Sequence, residues 1–100
     1  MVYDSLFIKA EGIKPGQKTV VFGCGPIGLF GISQLKAAGV SRVIAFELNK
    51  TRREIALKMG ADAVFDPSEL SRNNTKIEEV ILEQTKGHGA DLFLESSGAT

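Results

Sequence analysis

The hexapeptide Gly23-Cys24-Gly25-Pro26-Ile27-Gly28 has the spacing G-x-G-x-x-G and lies between two apolar segments. Residues 18–22 predict a buried strand that leads into it, and residues 27–38 predict the helix that leaves it. In such a unit the first glycine permits a tight turn, the second lets the backbone approach a phosphate, and the third allows close helix packing. The N–H groups of the helix's first turn then favour an anion. The pattern therefore predicts a phosphate-binding turn formed by Gly23, Gly25, Pro26, Ile27 and Gly28.

An acidic residue, Glu47, ends the next predicted strand, about 20 residues beyond the glycine turn. A carboxylate at this spacing is typical of dinucleotide sites, where it accepts hydrogen bonds from ribose hydroxyls. A solvated strand end is the alternative interpretation, and the glycine turn upstream favours the ribose role. Because a 2′-phosphate would place negative charge against the carboxylate, Glu47 favours NAD over NADP as the cofactor.

Three basic residues complicate the choice of cofactor, because Lys50, Arg52 and Arg53 follow Glu47 closely and are the type of residue that a 2′-phosphate would need. An exposed first helical turn is the more common reason for such a charge run. Arg52 is the one of the three that we expect to contact the cofactor. NAD remains the predicted cofactor.

Composition limits the class of protein. One hundred residues, 43% hydrophobic and 24% charged, suit one small globular domain. Twelve basic and twelve acidic residues cancel, so no nucleic-acid or membrane partner is indicated. No apolar run is long enough to span a bilayer and no signal peptide is evident, so a cytoplasmic location is expected. One cysteine and one histidine predict no internal disulfide and no metal site.

Four short apolar segments predict strands separated by helices, at residues 19–22, 42–47, 63–65 and 91–95. Because they lack polar alternation, they are typical of parallel strands covered on both faces. The alternation predicts an α/β fold, the first half only of a Rossmann-type doubly wound sheet with strand order 3-2-1-4. Capping-box pairs, Thr51 with Glu54 and Thr75 with Glu78, predict two helix starts. Residues 67–75 predict a polar loop with one helical turn.

The domain organisation follows from these elements. Residues 1–17 predict a lead-in helix at 2–10 and a turn at 14–16, and residues 18–100 predict an incomplete NAD(P)-binding half-domain. The fourth strand is wholly apolar at residues 92–94 and reads as an interior strand with an uncovered edge. Such an edge predicts a homo-oligomer or a self-associating chain. The strand phenylalanines are expected in the core: Phe22, Phe46, Phe65 and Phe93.

The chain resembles the coenzyme domain of the zinc-dependent medium-chain alcohol dehydrogenases over nearly its whole length, in the segments GIKPGQ (12–17), VVFGCGPIGL (20–29), LKAAG (35–39), LKMGAD (57–62) and GADLFLESSG (89–98). Within that family it is most similar to the sorbitol, threonine and related polyol dehydrogenases. The resemblance implies a parent enzyme that transfers hydride from an alcohol to NAD, while a zinc ion in a separate upstream domain polarises the substrate oxygen. It assigns no catalytic residue and no zinc ligand to this chain, which alone is expected to be inactive.

The same resemblance adds cofactor contacts and leaves alternatives. It implies that Arg52 packs on the adenine and that the turn at Ser97 and Gly98 passes near a cofactor ribose. We interpret Cys24 as a small residue tolerated in a tight turn and His88 as part of an exposed turn, neither of them catalytic. Two other functions remain open: a stand-alone nucleotide-binding or assembly module, and an S-adenosylmethionine-binding methyltransferase fragment.

Overall fold

The computed structural model describes residues 14–96, in which strands and helices alternate. The strands are β1 (Lys18–Phe22), β2 (Arg42–Phe46), β3 (Ala63–Phe65) and β4 (Leu92–Glu95). The helices are α1 (Pro26–Ala37), α2 (Lys50–Met59), α3 (Pro67–Arg72) and α4 (Ile77–Gln84). All strand pairings in this part of the chain are parallel, in the order β3-β2-β1-β4. The predicted fold class and strand order are therefore confirmed.

Some predicted features lie outside the described residues. These are the lead-in helix at residues 2–10 and the two turn residues Ser97 and Gly98. The predicted turn before β1 is present, because the N–H of Gln17 donates to the carbonyl of Lys14 and Gly16 has a φ of +87°. The division of the chain at residue 17 stays a prediction.

Helices cover both faces of the sheet. Alternate side chains of each strand point to opposite faces, and apolar strand residues are buried on both of them. One face packs against α1 and α2, and its buried residues include Val21, Val43, Ala45, Leu94, Ile32, Leu35 and Ala56. The other face packs against α4, and its buried residues are Val20, Ile44, Phe46, Val80 and Ile81. Because the strands are parallel, the carboxyl ends of β1, β2 and β4 meet at one edge of the sheet, where the glycine turn follows β1.

Two aspartates join neighbouring strands at the opposite edge of the sheet. Asp62, which precedes β3, accepts a 2.7 Å hydrogen bond from the N–H of Val43, and its own N–H donates to the Val43 carbonyl at 2.8 Å. Asp91, which precedes β4, makes the same pair of bonds with Lys18, at 2.9 and 2.7 Å. Each aspartate thus binds both backbone groups of one residue on the next strand, which fixes the register of the pair.

The helix starts differ from the predicted capping boxes. Asn49, not Thr51, caps α2, because its side chain accepts a 2.9 Å hydrogen bond from the N–H of Arg52. Helix α4 is capped at Lys76, one residue after the predicted Thr75. In both cases the cap is the last residue with extended backbone before the helix, as capping geometry requires. Residues 67–72 form the complete short helix α3, capped by Asp66, where a mostly irregular loop was expected.

The four strand phenylalanines stack across the sheet but are not all in the core. The rings of Phe22 and Phe46 are 5.5 Å apart, and Phe65 stacks on Phe46 at 5.8 Å. Phe93 stacks on Phe22 at 6.2 Å, yet it is 57% exposed, so its predicted core position is wrong. The physical reason is that β4 forms the outer edge of the described sheet, so that Phe93 has a strand neighbour on one side there.

Candidate nucleotide-binding site

The glycine turn connects the end of β1 to the first turn of α1. Gly23 has a φ of +92°, a left-handed conformation that residues with a side chain rarely adopt. Gly25 is the N-cap of α1 and supplies no capping side chain, and Pro26 occupies the first helical position. Since a helix has no internal acceptors for its first N–H groups, those of Ile27 and Gly28 are available to a ligand. The turn therefore has the form of an anion-binding site.

Gly28 lies against the turn at a distance that only glycine permits. A Cβ atom at this position would be 2.1 Å from the carbonyl oxygen of Gly23 and 2.5 Å from the hydroxyl oxygen of Ser96. Backbone atoms cannot move aside as a flexible side chain can. The third glycine of the pattern therefore sets how closely α1 approaches the end of the sheet.

Glu47 follows β2 and contacts the glycine turn directly. The residue is buried, at 9% exposure. Oε1 accepts a 2.6 Å hydrogen bond from the N–H of Cys24, and Oε2 accepts a 2.8 Å hydrogen bond from the N–H of Asn49. Each carboxylate oxygen can accept more than one hydrogen bond, so ribose hydroxyls could still bind. The sequence predicted that Glu47 lies near the turn, but it did not show that Glu47 holds the turn in place.

Ser96 joins the end of β4 to the same turn. Its buried hydroxyl donates a 2.6 Å hydrogen bond to the carbonyl of Gly23, and its N–H donates to the carbonyl of Phe22 at 2.8 Å. The sequence has Ser96 directly after the predicted fourth strand at residues 91–95. It did not reveal the side-chain contact, whose only signal was a hydroxyl residue at the end of the strand paired with β1.

A cleft of about 440 Å³ opens between the glycine turn, the end of β2 and the starts of α3 and α4. It brings together four of the predicted site residues: Gly23, Gly25, Glu47 and Arg52. Its walls are mainly apolar and include Phe22, Phe46, Leu48, Pro67 and Ile77. Apolar walls with a few polar groups are typical of a site for a small organic ligand. The other predicted residues that the structure describes, Pro26, Ile27 and Gly28, follow Gly25 in the first turn of α1.

The three basic residues after Glu47 have different surroundings. Arg52 lines the cleft. Arg53 donates to the carbonyls of Glu47 and Leu48 at 3.0 and 2.7 Å, and it forms a 3.5 Å ion pair with Asp66. Lys50 is exposed at the first position of α2. Arg53 thus links the ends of β2 and β3, which leaves Arg52 as the best placed of the three to meet a ligand.

Cys24 and His88 do not have the surroundings of catalytic groups. Cys24 is fully buried, and this burial, together with the Glu47 carboxylate, raises the pKa of its thiol to about 12, against a smaller opposing effect of Arg52. The thiol is therefore protonated at neutral pH, and burial outweighs the helix dipole that could have activated it. His88 is exposed in the turn before β4, at the edge of the sheet away from the glycine turn.

The fold and the site define a class of protein. A parallel sheet in the order 3-2-1-4, a glycine turn at a helix start and an acid after the second strand form the first half of a Rossmann-type nucleotide-binding domain. Residues 26–100 match the family of zinc-binding dehydrogenases. The chain therefore belongs to the zinc-binding dehydrogenase family. This family supports neither the methyltransferase nor the stand-alone module that the sequence left open.

The curated relatives of this chain include two enzymes that act on sugars or polyols by name. The scyllo-inosose 3-dehydrogenase of Thermotoga maritima is 41% identical over 98 residues, which are 98% of this chain and 24% of that protein. The D-xylulose reductase A of Aspergillus niger is 41% identical over 92 residues, which are 92% of this chain and 25% of that protein. The chain thus spans about a quarter of the length of these relatives.

Solved structures share the fold. An alcohol dehydrogenase of Thermotoga maritima superposes with a TM-score of 0.81 and 31% identity, over 97% of this chain and 26% of that one. A zinc-binding dehydrogenase homologue from Sinorhizobium meliloti, bound to NADP, has a TM-score of 0.57 and 38% identity over 58% of this chain and 17% of that one.

Within residues 14–96 no three histidine, cysteine or acidic side chains are grouped so that they could hold a metal ion. This part of the chain therefore does not fit the zinc that the family name implies. None of the helices in the same residues has the length and apolar character needed to cross a bilayer.

Proposed function

We propose that this chain is the adenosine-binding portion of an NAD-dependent, zinc-type polyol dehydrogenase. The observation that carries the proposal is the position of Glu47, whose carboxylate lies in the cleft and is bonded to the glycine turn. A dinucleotide that places its pyrophosphate at the start of α1 would bring its adenosine ribose to this carboxylate. The parent activity would be hydride transfer from a secondary alcohol to NAD.

The residues of this chain fit the cofactor and supply binding rather than chemistry. The free N–H groups of Ile27 and Gly28 would hold the pyrophosphate, and the Glu47 carboxylate would accept hydrogen bonds from the ribose. Arg52 lines the cleft and would pack on the adenine. When bound, NAD supplies the hydride acceptor. No residue of this chain is assigned a catalytic role, and zinc would be held by another part of the parent enzyme.

The choice of NAD rests on charge. A 2′-phosphate on the ribose would lie against the carboxylate of the buried Glu47, where repulsion is screened little by water. Of the nearby cations, Arg53 is engaged by two carbonyls and by Asp66. The relative from Sinorhizobium meliloti binds NADP, which supports a nicotinamide dinucleotide as the ligand, and Glu47 is the residue that favours NAD here.

The substrate class comes from the relatives. A scyllo-inosose dehydrogenase and a D-xylulose reductase both act on polyhydroxylated carbon skeletons, which supports a polyol or its ketone as the substrate of the parent enzyme. We expect the isolated chain to show no turnover, because residues 14–96 hold no cluster of side chains that could bind zinc and none of them is assigned a catalytic role. A homo-oligomeric state and a cytoplasmic location stay predictions.

A binding experiment with Glu47→Gln tests the proposal. Glutamine keeps one oxygen that can accept from the N–H of Cys24 but removes the charge. We expect NAD affinity to fall by roughly 10- to 100-fold, the loss of about 1.5–3 kcal/mol for hydrogen bonds to a charged group. Affinity for NADP should change less or improve. Isothermal titration calorimetry on the 100-residue chain would measure both cofactors.

Glu78→Gln is the control for Glu47→Gln. Glu78→Gln removes the same charge from an exposed position in the first turn of α4 and should leave both affinities unchanged. Equal losses of NAD and NADP affinity in Glu47→Gln would contradict the ribose assignment. Wild-type chain that binds S-adenosylmethionine but neither dinucleotide would overturn the proposed function itself.

A further inference from the structure

One peptide unit of the glycine turn is held from two sides. Its carbonyl group belongs to Gly23 and accepts a 2.6 Å hydrogen bond from the Ser96 hydroxyl. Its N–H group belongs to Cys24 and donates a 2.6 Å hydrogen bond to Glu47. Ser96 and Glu47 follow β4 and β2, the two strands that flank β1. The two side chains therefore fix the plane of this peptide from opposite ends.

The turn needs such a restraint because of its composition. Gly23 has no side chain and can adopt many backbone conformations, including the observed φ of +92°. Rotation of the Gly23–Cys24 peptide plane would alter the path of the chain into Gly25, the N-cap of α1. The direction of the first N–H groups of α1 depends on that path. Hydrogen bonds at both ends of the peptide hold it in a single orientation.

The position of Ser96 allows little variation. The residue is 2% exposed, and its hydroxyl oxygen is also 3.2 Å from the carbonyl of Phe22. A Cβ on Gly28 would be 2.5 Å from the same oxygen, so the hydroxyl fills the space between the turn and α1. Removal of the hydroxyl would leave the half-buried Gly23 carbonyl without this donor. The remaining bond, from Cys24 to Glu47, restrains only the other end of the peptide.

We propose that Ser96 is a positioning residue that, together with Glu47, holds the Gly23–Cys24 peptide in the orientation needed for a dinucleotide pyrophosphate before the cofactor binds. The inference rests on the proposed function and deepens it, because it adds a residue outside the glycine pattern to the phosphate site. Ser96 also lines the cleft, and the role assigned to it here is exerted through the turn, because its hydroxyl donates to the Gly23 carbonyl. The role predicts a defect specific for ligands that contain the pyrophosphate.

The test compares the affinities of Ser96→Ala and of a matched serine variant for two ligands, ADP-ribose and adenosine. Ser33→Ala is the control, because the Ser33 hydroxyl also donates to a carbonyl, that of Phe30 at 2.8 Å, but on the exposed part of α1. ADP-ribose contains the pyrophosphate and adenosine does not. We expect Ser96→Ala to lower the affinity for ADP-ribose by about five- to tenfold, as for the loss of one hydrogen bond. The affinity for adenosine should change little. Chemical-shift titrations of the 100-residue chain would give both dissociation constants.

A second variant separates the hydroxyl from general packing. Ser96→Cys keeps the shape of the side chain with a slightly larger atom and a weaker donor, so its ADP-ribose affinity should lie between those of wild type and Ser96→Ala. Equal weakening of ADP-ribose and adenosine, or no change for either, would overturn the positioning role. Wild-type chain that fails to bind ADP-ribose would instead overturn the proposed function. Circular dichroism of each variant, and hydrogen exchange at the Cys24 amide, would show whether the fold and the turn are retained.

Discussion

The α carbon of Gly28 faces the carbonyl oxygen of Gly23 so closely that a Cβ atom would lie 2.1 Å away. Such a distance is far inside van der Waals contact, and the obstructing atom belongs to the backbone of the glycine turn. The first turn of α1 is therefore packed directly against the backbone of the glycine turn. This contact places the helix start, and its free N–H groups, directly beside the turn.

Gly28→Ala should destabilise the chain and weaken nucleotide binding, because the added methyl group would force α1 away from the turn. Overpacking of this kind costs about 1–3 kcal/mol, more than the roughly 1 kcal/mol that alanine gains over glycine within a helix. Urea denaturation and ADP-ribose titration would measure both effects.

Gly31→Ala is the matched control, in the same helix. There the new Cβ would meet the tip of the Leu94 side chain, Cδ2, at 2.6 Å, and a side-chain tip can rotate aside. We expect a smaller loss of stability and normal ADP-ribose affinity. If Gly28→Ala bound ADP-ribose as tightly as Gly31→Ala does, close packing at the third glycine would not be needed for the phosphate site.

The sequence predicted the order of the sheet because each strand is a short apolar segment and each parallel connection is right-handed. It also placed Glu47 and the glycine turn at one edge, because the carboxyl ends of parallel strands meet there. It could not show that Glu47 binds Cys24, since that contact depends on the direction of one side chain across two strands. The same limit applies to Ser96 and Gly23.

Two other predictions, the start of α2 and the burial of Phe93, failed because a neighbouring element overrode the local sequence pattern. Thr51 with Glu54 matched a capping pattern, but the helix begins earlier because the chain leaves β2 through an extended Asn49, whose side chain reaches the N–H of Arg52. Phe93 matched a core residue in composition, yet its strand lies at the edge of the described sheet. In both cases a neighbouring element, which the local pattern does not contain, decided the outcome.

Asp62→Ala should lower the free energy of unfolding by about 1.5–3 kcal/mol, the range for a hydrogen bond to a charged group. The carboxylate accepts from the N–H of Val43 at 2.7 Å and forms a 3.0 Å ion pair with Lys36, so its loss weakens the pairing of β2 with β3. Urea denaturation would measure the change.

Glu54→Ala serves as the control for Asp62→Ala. Glu54 is exposed on α2, and its side chain makes no hydrogen bond or ion pair with the other described residues. Its replacement should change stability by no more than about 0.5 kcal/mol. Similar losses in the two variants would contradict a register-fixing role for Asp62.

The thiol of Cys24 should remain unreactive in the folded chain and make stability fall in alkaline solution. Its pKa is raised from 9.0 to about 12 by burial and by Glu47. Between these values the folded chain keeps the proton while the unfolded chain releases it, so rising pH favours unfolding. The contribution is constant below pH 9.0 and declines toward pH 12.

Two measurements check the Cys24 prediction. Ellman's reagent near pH 8 should react slowly with native chain and rapidly in urea. The stability difference between wild type and Cys24→Ala should shrink as the pH rises above 9.0, since the alanine variant lacks the titrating thiol. Rapid reaction of the native thiol would show that the turn opens readily or that the thiol is ionised.

The edge of β4 should make the isolated chain self-associate. Among the described residues β4 pairs only with β1, and it carries Phe93 at 57% exposure on the face that Phe22 shares. An apolar edge strand can pair with the same strand of a second copy, which would bury both phenylalanine rings. Phe93→Lys adds a charge to this strand and should shift the chain toward monomer. Leu82→Lys, an equally drastic change at a 47% exposed position on α4, should not. Light scattering coupled to size-exclusion chromatography would measure the mass of each, and a wild-type chain that stayed monomeric as its concentration rose would contradict the prediction.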